Sequence, residues 1–151
     1  MSRLLAACGG FLTAVVWMDL IFDVQVLRHR RSTAALPEPV LASIAGYYRR
    51  ATTDSRPMSR LIAATMLVAV VGSVLRLIGG HGSLGVRALA VLLSGAPTLL
   101  AGARVVPNAV RLGARSDDAD VQSALARGIC RDHLICFALI GAFTALQIAS
   151  V

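Results

Sequence analysis

The stretch LLAACGGFLTAVVWMDLIFDVQVL, residues 4–27, runs directly into Arg28-His29-Arg30-Arg31. At about 1.5 Å per residue it is long enough as a helix to cross a hydrocarbon core of about 30 Å. Only two charges interrupt it, Asp19 and Asp23, and no strand-like alternation is present. Its Leu, Val, Ala and Gly suit closely packed membrane helices, and the arginine cluster at its end marks a membrane border.

Three further tracts repeat this pattern at 61–78, 84–106 and 134–151. Their uninterrupted apolar cores fall somewhat short of the ~20 residues that a span requires. Arg60, Arg76, Arg87 and Arg104 at their edges are expected to extend them by snorkelling. Small residues such as Gly72, Gly95, Gly102, Gly141 and Ala145 would let the helices approach closely. The expected fold is all-α, a single integral membrane domain over residues 1–151 built as a four-transmembrane-helix bundle. The first tract is expected to remain as a helix: only Arg3 precedes it, and the apolar run before Cys8 is too short for a lipoprotein leader.

Composition agrees. Of 151 residues 56% are hydrophobic and 15% charged, and the mean hydropathy is +0.72. A soluble domain is nearer 45–50% apolar. The net charge of +7 comes from 15 basic residues, all arginine, set at the borders of the apolar tracts. That placement excludes the separate basic face of a nucleic-acid binder and makes the lipid bilayer the expected partner, in the cell membrane.

Arginine counting sets the expected orientation. Arg28, Arg30, Arg31, Arg49, Arg50, Arg56 and Arg60 separate the first two spans, and Arg104, Arg111, Arg115, Arg127 and Arg131 lie between the last two. Arg3, Arg76 and Arg87 remain for the opposite side. Both long connections are thus expected in the cytoplasm, with the bundle N-out and C-out. After Pro37 and Pro39, Val40, Leu41, Ile44, Ala45 and Tyr48 recur at helical spacing, predicting a short interfacial helix in the first cytoplasmic loop. Asp54 or Ser55 would cap the second span with Pro57 in its first turn. Ser116, Asp117, Asp118 and Asp120 read as the start of a helix running into the fourth span.

Asp19 and Asp23 are four apart and share one helix face. Counted from Arg28, they lie ~14 Å and ~8 Å inside the boundary. An ionised Asp near mid-bilayer costs about 2.5–3.5 kcal/mol, so both must turn inward and find partners. Arg104, Asn108, Arg131 and His133 sit at a similar depth. The arrangement is either a structural network between helices or a functional polar pocket. In the latter, Asp19, Asp23 and His133 would be catalytic, and Trp17, Thr98, Arg104, Asn108 and Arg131 ligand-binding.

Cys130, His133 and Cys136 invite a metal reading. Residues six apart on a helix are ~9 Å apart along its axis, too far to share an ion at ~2.0–2.3 Å. No metal and no cofactor are expected, and the three cysteines read as free, buried apolar side chains. His29 reads as solvated and His81 as part of the outer turn. Pro97-Thr98 should kink the third span and free a carbonyl.

Ala96-Pro97-Thr98-Leu99, followed by Val106-Pro107-Asn108 and Leu112, resembles the anthrone oxygenase-like family of small four-helix membrane proteins. Tyr48, Arg49, Ala51 and Pro57, and later Arg127 and His133, fit the same pattern. Gly128 stands where that family tends to carry Trp, the Arg after its His is missing, and the paired aspartates lie outside the pattern. The resemblance implies a four-helix fold and, for a subset of the family, oxygenation of aromatic polyketides. Two functions are therefore expected as alternatives. One is a binder or cofactor-independent oxygenase of a hydrophobic, aromatic or quinone-like small molecule. The other is a non-catalytic accessory subunit of a larger membrane complex, or a homo-oligomer. A proton or solute carrier would need oligomerisation to form a pore.

Overall fold

The computed structural model describes residues 1–32, 34–80 and 83–150; the expectation for His81 lies outside them. Helix α1, Ser2–Asp23, tightens into a 3₁₀ segment over Val24–His29. Helix α2, Glu38–Tyr48, continues as a widened π-type turn over Arg49–Asp54. Helix α3 covers Arg56–Gly79 and α4 covers Leu84–Leu100. A second π-type segment, Ala101–Val105, joins α4 to α5, Val106–Ala114. Helix α6 runs unbroken from Ala119 to Ile148. Among the described residues 4 helical stretches are long and apolar enough to cross a membrane: Ser2–His29, Arg56–Gly79, Leu84–Ala114 and Ala119–Ile148. Large apolar side chains cover their outer faces, Leu67, Ile78, Leu92 and Leu99 among the most exposed. Such a surface is stable against lipid and not against water.

The helices extend beyond the apolar tracts because capping and packing, not hydropathy alone, set their ends. The fourth span gains several turns at its start, where Asp118 Oδ1 accepts from Val121 N at 2.8 Å. The N-cap of α3 is Ser55, without a side-chain capping bond. Pro97 lies inside α4 and leaves the Leu93 carbonyl without its helical partner; the π-type widening follows within one turn. The Cys136 thiol lies 3.9 Å from the Pro97 carbonyl as its donor.

Two apolar clusters stack along the bundle. In the membrane tracts, Leu5, Leu12, Val16 and Leu20 of α1 pack with Ala69, Ala90, Ile140 and Phe143. At the arginine-rich end, Leu41, Ile44, Ala45 and Tyr48 of α2 pack with Leu112, Ala126 and Ile129. The apolar face of α2 is thus buried against α5 and α6. Cys136 belongs to the first cluster and Cys130 to the second; both are free and buried. Arginines at the span borders have protein partners. Arg76 donates to Gln147 Oε1 at 2.8 Å, and Arg87 donates to the Leu77 and Gly80 carbonyls at the end of α3, where a cation also favours the helix dipole.

Helix α1 packs chiefly on α6, and at Gly9 the two approach closely. A Cβ there would collide with Thr144 Oγ1 and stand 3.3 Å from its Cα, whereas Gly10 has open space. Gly9→Val is expected to destabilise the bundle by about 1–3 kcal/mol through overpacking. Gly10→Val should leave the thermal midpoint in detergent nearly unchanged. Equal midpoints for the two variants would contradict this crossing.

Candidate functional site

Asp19 and Asp23 reach the site from one face of α1, as their spacing requires. Asp23 is fully buried. Its Oδ1 accepts from the Tyr48 hydroxyl at 2.6 Å, and its Oδ2 lies 2.6 Å from His133 Nδ1. Asp19 Oδ1 accepts from the Tyr47 hydroxyl at 2.6 Å, and its Oδ2 is 3.7 Å from His133 Nε2. One imidazole is therefore bracketed by two carboxylates, each held by a tyrosine. The neighbouring tyrosines of α2 reach successive turns of α1 because the two aspartates stand about 6 Å apart along its axis.

Packing fixes this geometry. Phe22 stacks on Tyr47 with ring centroids 4.1 Å apart, and Tyr47 meets Tyr48 edge-on at 5.2 Å. Gln25 of the 3₁₀ segment donates to Ser43 Oγ at 3.1 Å, tying α1 to α2. Gly113 admits the backbone of Arg49, directly after Tyr48: a Cβ there would stand 2.9 Å from Arg49 N. Burial, then the Asp19 carboxylate, holds the Tyr47 hydroxyl above its ordinary value; burial, then Asp23, does the same to Tyr48. Both phenols thus remain neutral donors to the carboxylates.

The cluster closes the end of a cavity of about 500 Å³ between α1, α3 and α4. Asp19, Tyr48, Thr52, Ser59, Thr98 and His133 supply its polar groups. Its other walls are mainly aliphatic, including Val16, Ile62, Met66 and Val105. That volume is in the range of small-molecule sites, and apolar walls with a few convergent polar groups are their usual construction. The Thr98 hydroxyl donates to the Ser94 carbonyl at 2.8 Å, so its bond stays within its own helix.

The remaining expected site residues lie elsewhere. Trp17 is exposed on the outer face of α1, 5.8 Å from the Phe137 ring. Arg104 and Arg131 pair with Asp132, Arg104 Nε 3.2 Å from Oδ2 and Arg131 Nη2 3.1 Å from Oδ1. The Arg104 contact is an ion pair without hydrogen-bond alignment. Asn108 lines a separate groove with these arginines. Successive residues on a helix point about 100° apart, and α6 packs on both α1 and α4. His133 faces α1, while Asp132, about 100° around α6, takes both arginines.

Asp132 is buried, and no motif or spacing in the sequence singles it out as a site residue. Among the described residues no group of three His, Cys, Asp or Glu is arranged to hold a metal ion. Comparison with known protein families, curated proteins and solved structures finds no match to this chain.

Proposed function

We infer that this chain is a multi-pass protein of the cell membrane whose arginine-rich connections face the cytoplasm, and that it binds a hydrophobic aromatic or quinone-like molecule in the 500 Å³ cavity. The observation that carries this reading is His133 at the polar end of an otherwise apolar chamber, its Nδ1 2.6 Å from buried Asp23. A ring that donates Nδ1–H to a carboxylate keeps its Nε2 lone pair available as a base. A proton taken there from a phenol or an activated benzylic C–H converts the ring to an imidazolium between two carboxylates. The electron pair stays on the substrate, whose carbanion is then open to dioxygen. Addition of O₂ and a proton gives a hydroperoxide, and loss of water from it leaves a carbonyl. This oxygenation requires no group beyond the substrate and O₂. Helix α2 would close the cytoplasmic mouth of the site at the membrane interface.

A second reading is favoured by α3, whose buried residues are Ala69, Gly72 and Ser73 alone among its described positions. So open a helix suits a subunit that packs against a membrane partner. The purified protein separates the two. Binding of a short-chain benzoquinone or a tricyclic aromatic ketone, lost when Ala63→Trp fills the cavity from its α3 wall, supports the chamber. Absence of any such binding, with another subunit retained through purification, overturns it. For orientation, reporter fusions after Arg31 and after Arg115 are expected to behave as cytoplasmic and one after Gly80 as external. The reverse pattern would refute the arginine assignment.

A further inference from the structure

The arginine-rich end holds a second concavity, unrelated to the His133 chamber. It is a groove of about 640 Å³ between α5 and the first turns of α6. Arg104, Arg111, Arg127 and Arg131 border it with Asn108. The chain directions set these cations in two tiers. Arg104 and Arg131 lie nearer the apolar tracts, and Arg111 and Arg127 lie farther out.

Their partners leave an excess of charge in both tiers. In the inner tier Arg104 and Arg131 share one carboxylate, Asp132. In the outer tier Arg111 holds Asp117 through two bonds of 2.8 Å, and that guanidinium keeps the Asp117 carboxyl below its usual value. Arg127 has neutral partners, the Ser32 and Ala34 carbonyls at 3.2 and 2.8 Å. Each tier thus carries one guanidinium more than its carboxylates neutralise. Arg104, Arg111 and Arg131 line the groove and are at least half exposed, so donors unused by Asp117 and Asp132 are open to an occupant.

The groove's floor is apolar: Val121, Ala124, Leu125 and Gly128. A Cβ on Gly128 would meet nothing within 4 Å. Exposed Ile135 stands one turn beyond Arg131 on the same face of α6 and continues the floor toward the apolar tract, with exposed Leu134 beside it. An occupant is therefore met by cations at one end and by lipid-facing aliphatic surface beside them. That combination matches a phosphodiester with attached acyl chains, and it distinguishes a lipid from a soluble anion, which would find no use for the apolar border.

We propose that the groove between α5 and α6 is a binding site for the phosphate headgroup of an anionic glycerophospholipid. The headgroup lies between the two arginine tiers, and its acyl chains run along Leu134 and Ile135. Arginine is suited to this because its planar fork donates in pairs to phosphate oxygens.

The test uses the full chain purified in detergent and delipidated, with phosphatidylglycerol, phosphatidylcholine or inorganic phosphate as probes. Native mass spectrometry should show phosphatidylglycerol retained about tenfold over phosphatidylcholine, as expected when one or two excess guanidiniums meet one more net negative charge. Gly128→Leu fills the floor while keeping every arginine, and replaces a mid-helix glycine by a better helix former; it should abolish the preference. Arg131→Gln should reduce it. A photo-crosslinkable phosphatidylglycerol on the unmodified protein should label residues 104–111 and 121–131, a readout that needs no variant. Equal retention of the two lipids, a preference unchanged in Gly128→Leu, or labelling elsewhere overturns the proposal. Stabilisation by inorganic phosphate equal to that by phosphatidylglycerol overturns the lipid assignment.

Discussion

Replacing Asp23 by alanine is expected to cost about 3 kcal/mol of bundle stability, at the low end of the range for breaking a buried ion pair. Asp23 is fully buried and satisfies two groups at once, the Tyr48 hydroxyl and His133 Nδ1. Alanine removes both bonds and leaves both partners in a poorly solvated place. The cost stays at the low end because the Tyr48 hydroxyl already stands 3.3 Å from His133 Nδ1 and can turn to it. Tyr48→Phe should cost less, about 1–2 kcal/mol, since it strips one donor from a carboxylate that keeps its imidazole. The double variant should then cost less than the two single changes added, because both act on one network. Thermal unfolding in detergent, followed through the single Trp, checks this. Trp17 packs on Phe137 and so reports the contact of α1 with α6. Asp23→Ala with the midpoint of the parent protein would show that the network holds nothing together.

The legible part of this molecule was the part dictated by solvent. Apolar length and arginine borders placed four membrane-length helices, because a bilayer punishes any other arrangement of backbone polar groups. Spacing placed Asp19 and Asp23 on one face, and the cost of an unpaired carboxylate required that face to turn inward. His133 was found because depth along α6 can be counted. Depth alone cannot say which way a helix is rotated. Arg104, Asn108 and Arg131 have the depth expected of site residues, yet they line a separate groove, and both arginines pair with Asp132, one step around α6 from His133. The tyrosines posed a different difficulty. The periodicity of α2 identified Tyr48 as part of an apolar face, but its hydroxyl is aimed by the tertiary fit of α2 into the bundle mouth. That fit depends on Gly113 admitting Arg49, a contact between segments remote in sequence. An adjacent Tyr-Tyr pair facing an Asp four residues from another Asp was the available signal.

The largest functional effect is expected from Asp23→Asn, a change that keeps shape and hydrogen-bond number. The introduced amide can still accept from Tyr48 through its oxygen, but its nitrogen then donates to His133 Nδ1. The ring must accept there, so its hydrogen moves to Nε2, the atom that faces Asp19 and the cavity. On the proposed oxygenation a base becomes a donor without a cavity or a clash being made. Stability should fall far less than in Asp23→Ala, while turnover of an aromatic ketone, read as oxygen uptake, should fall by about 10²–10⁴, the worth of a positioned general base. Asp19→Asn keeps its bond from Tyr47 and leaves the Asp23 bond intact, so Nε2 remains a lone pair. It loses the second carboxylate beside the developing imidazolium, and a smaller loss of turnover is expected. Ligand affinity should hardly change in either variant, because the aliphatic walls that take up the molecule are untouched. Turnover retained in Asp23→Asn would remove His133 from the chemistry. A loss of turnover matched by an equal loss of affinity would instead place the cluster in binding.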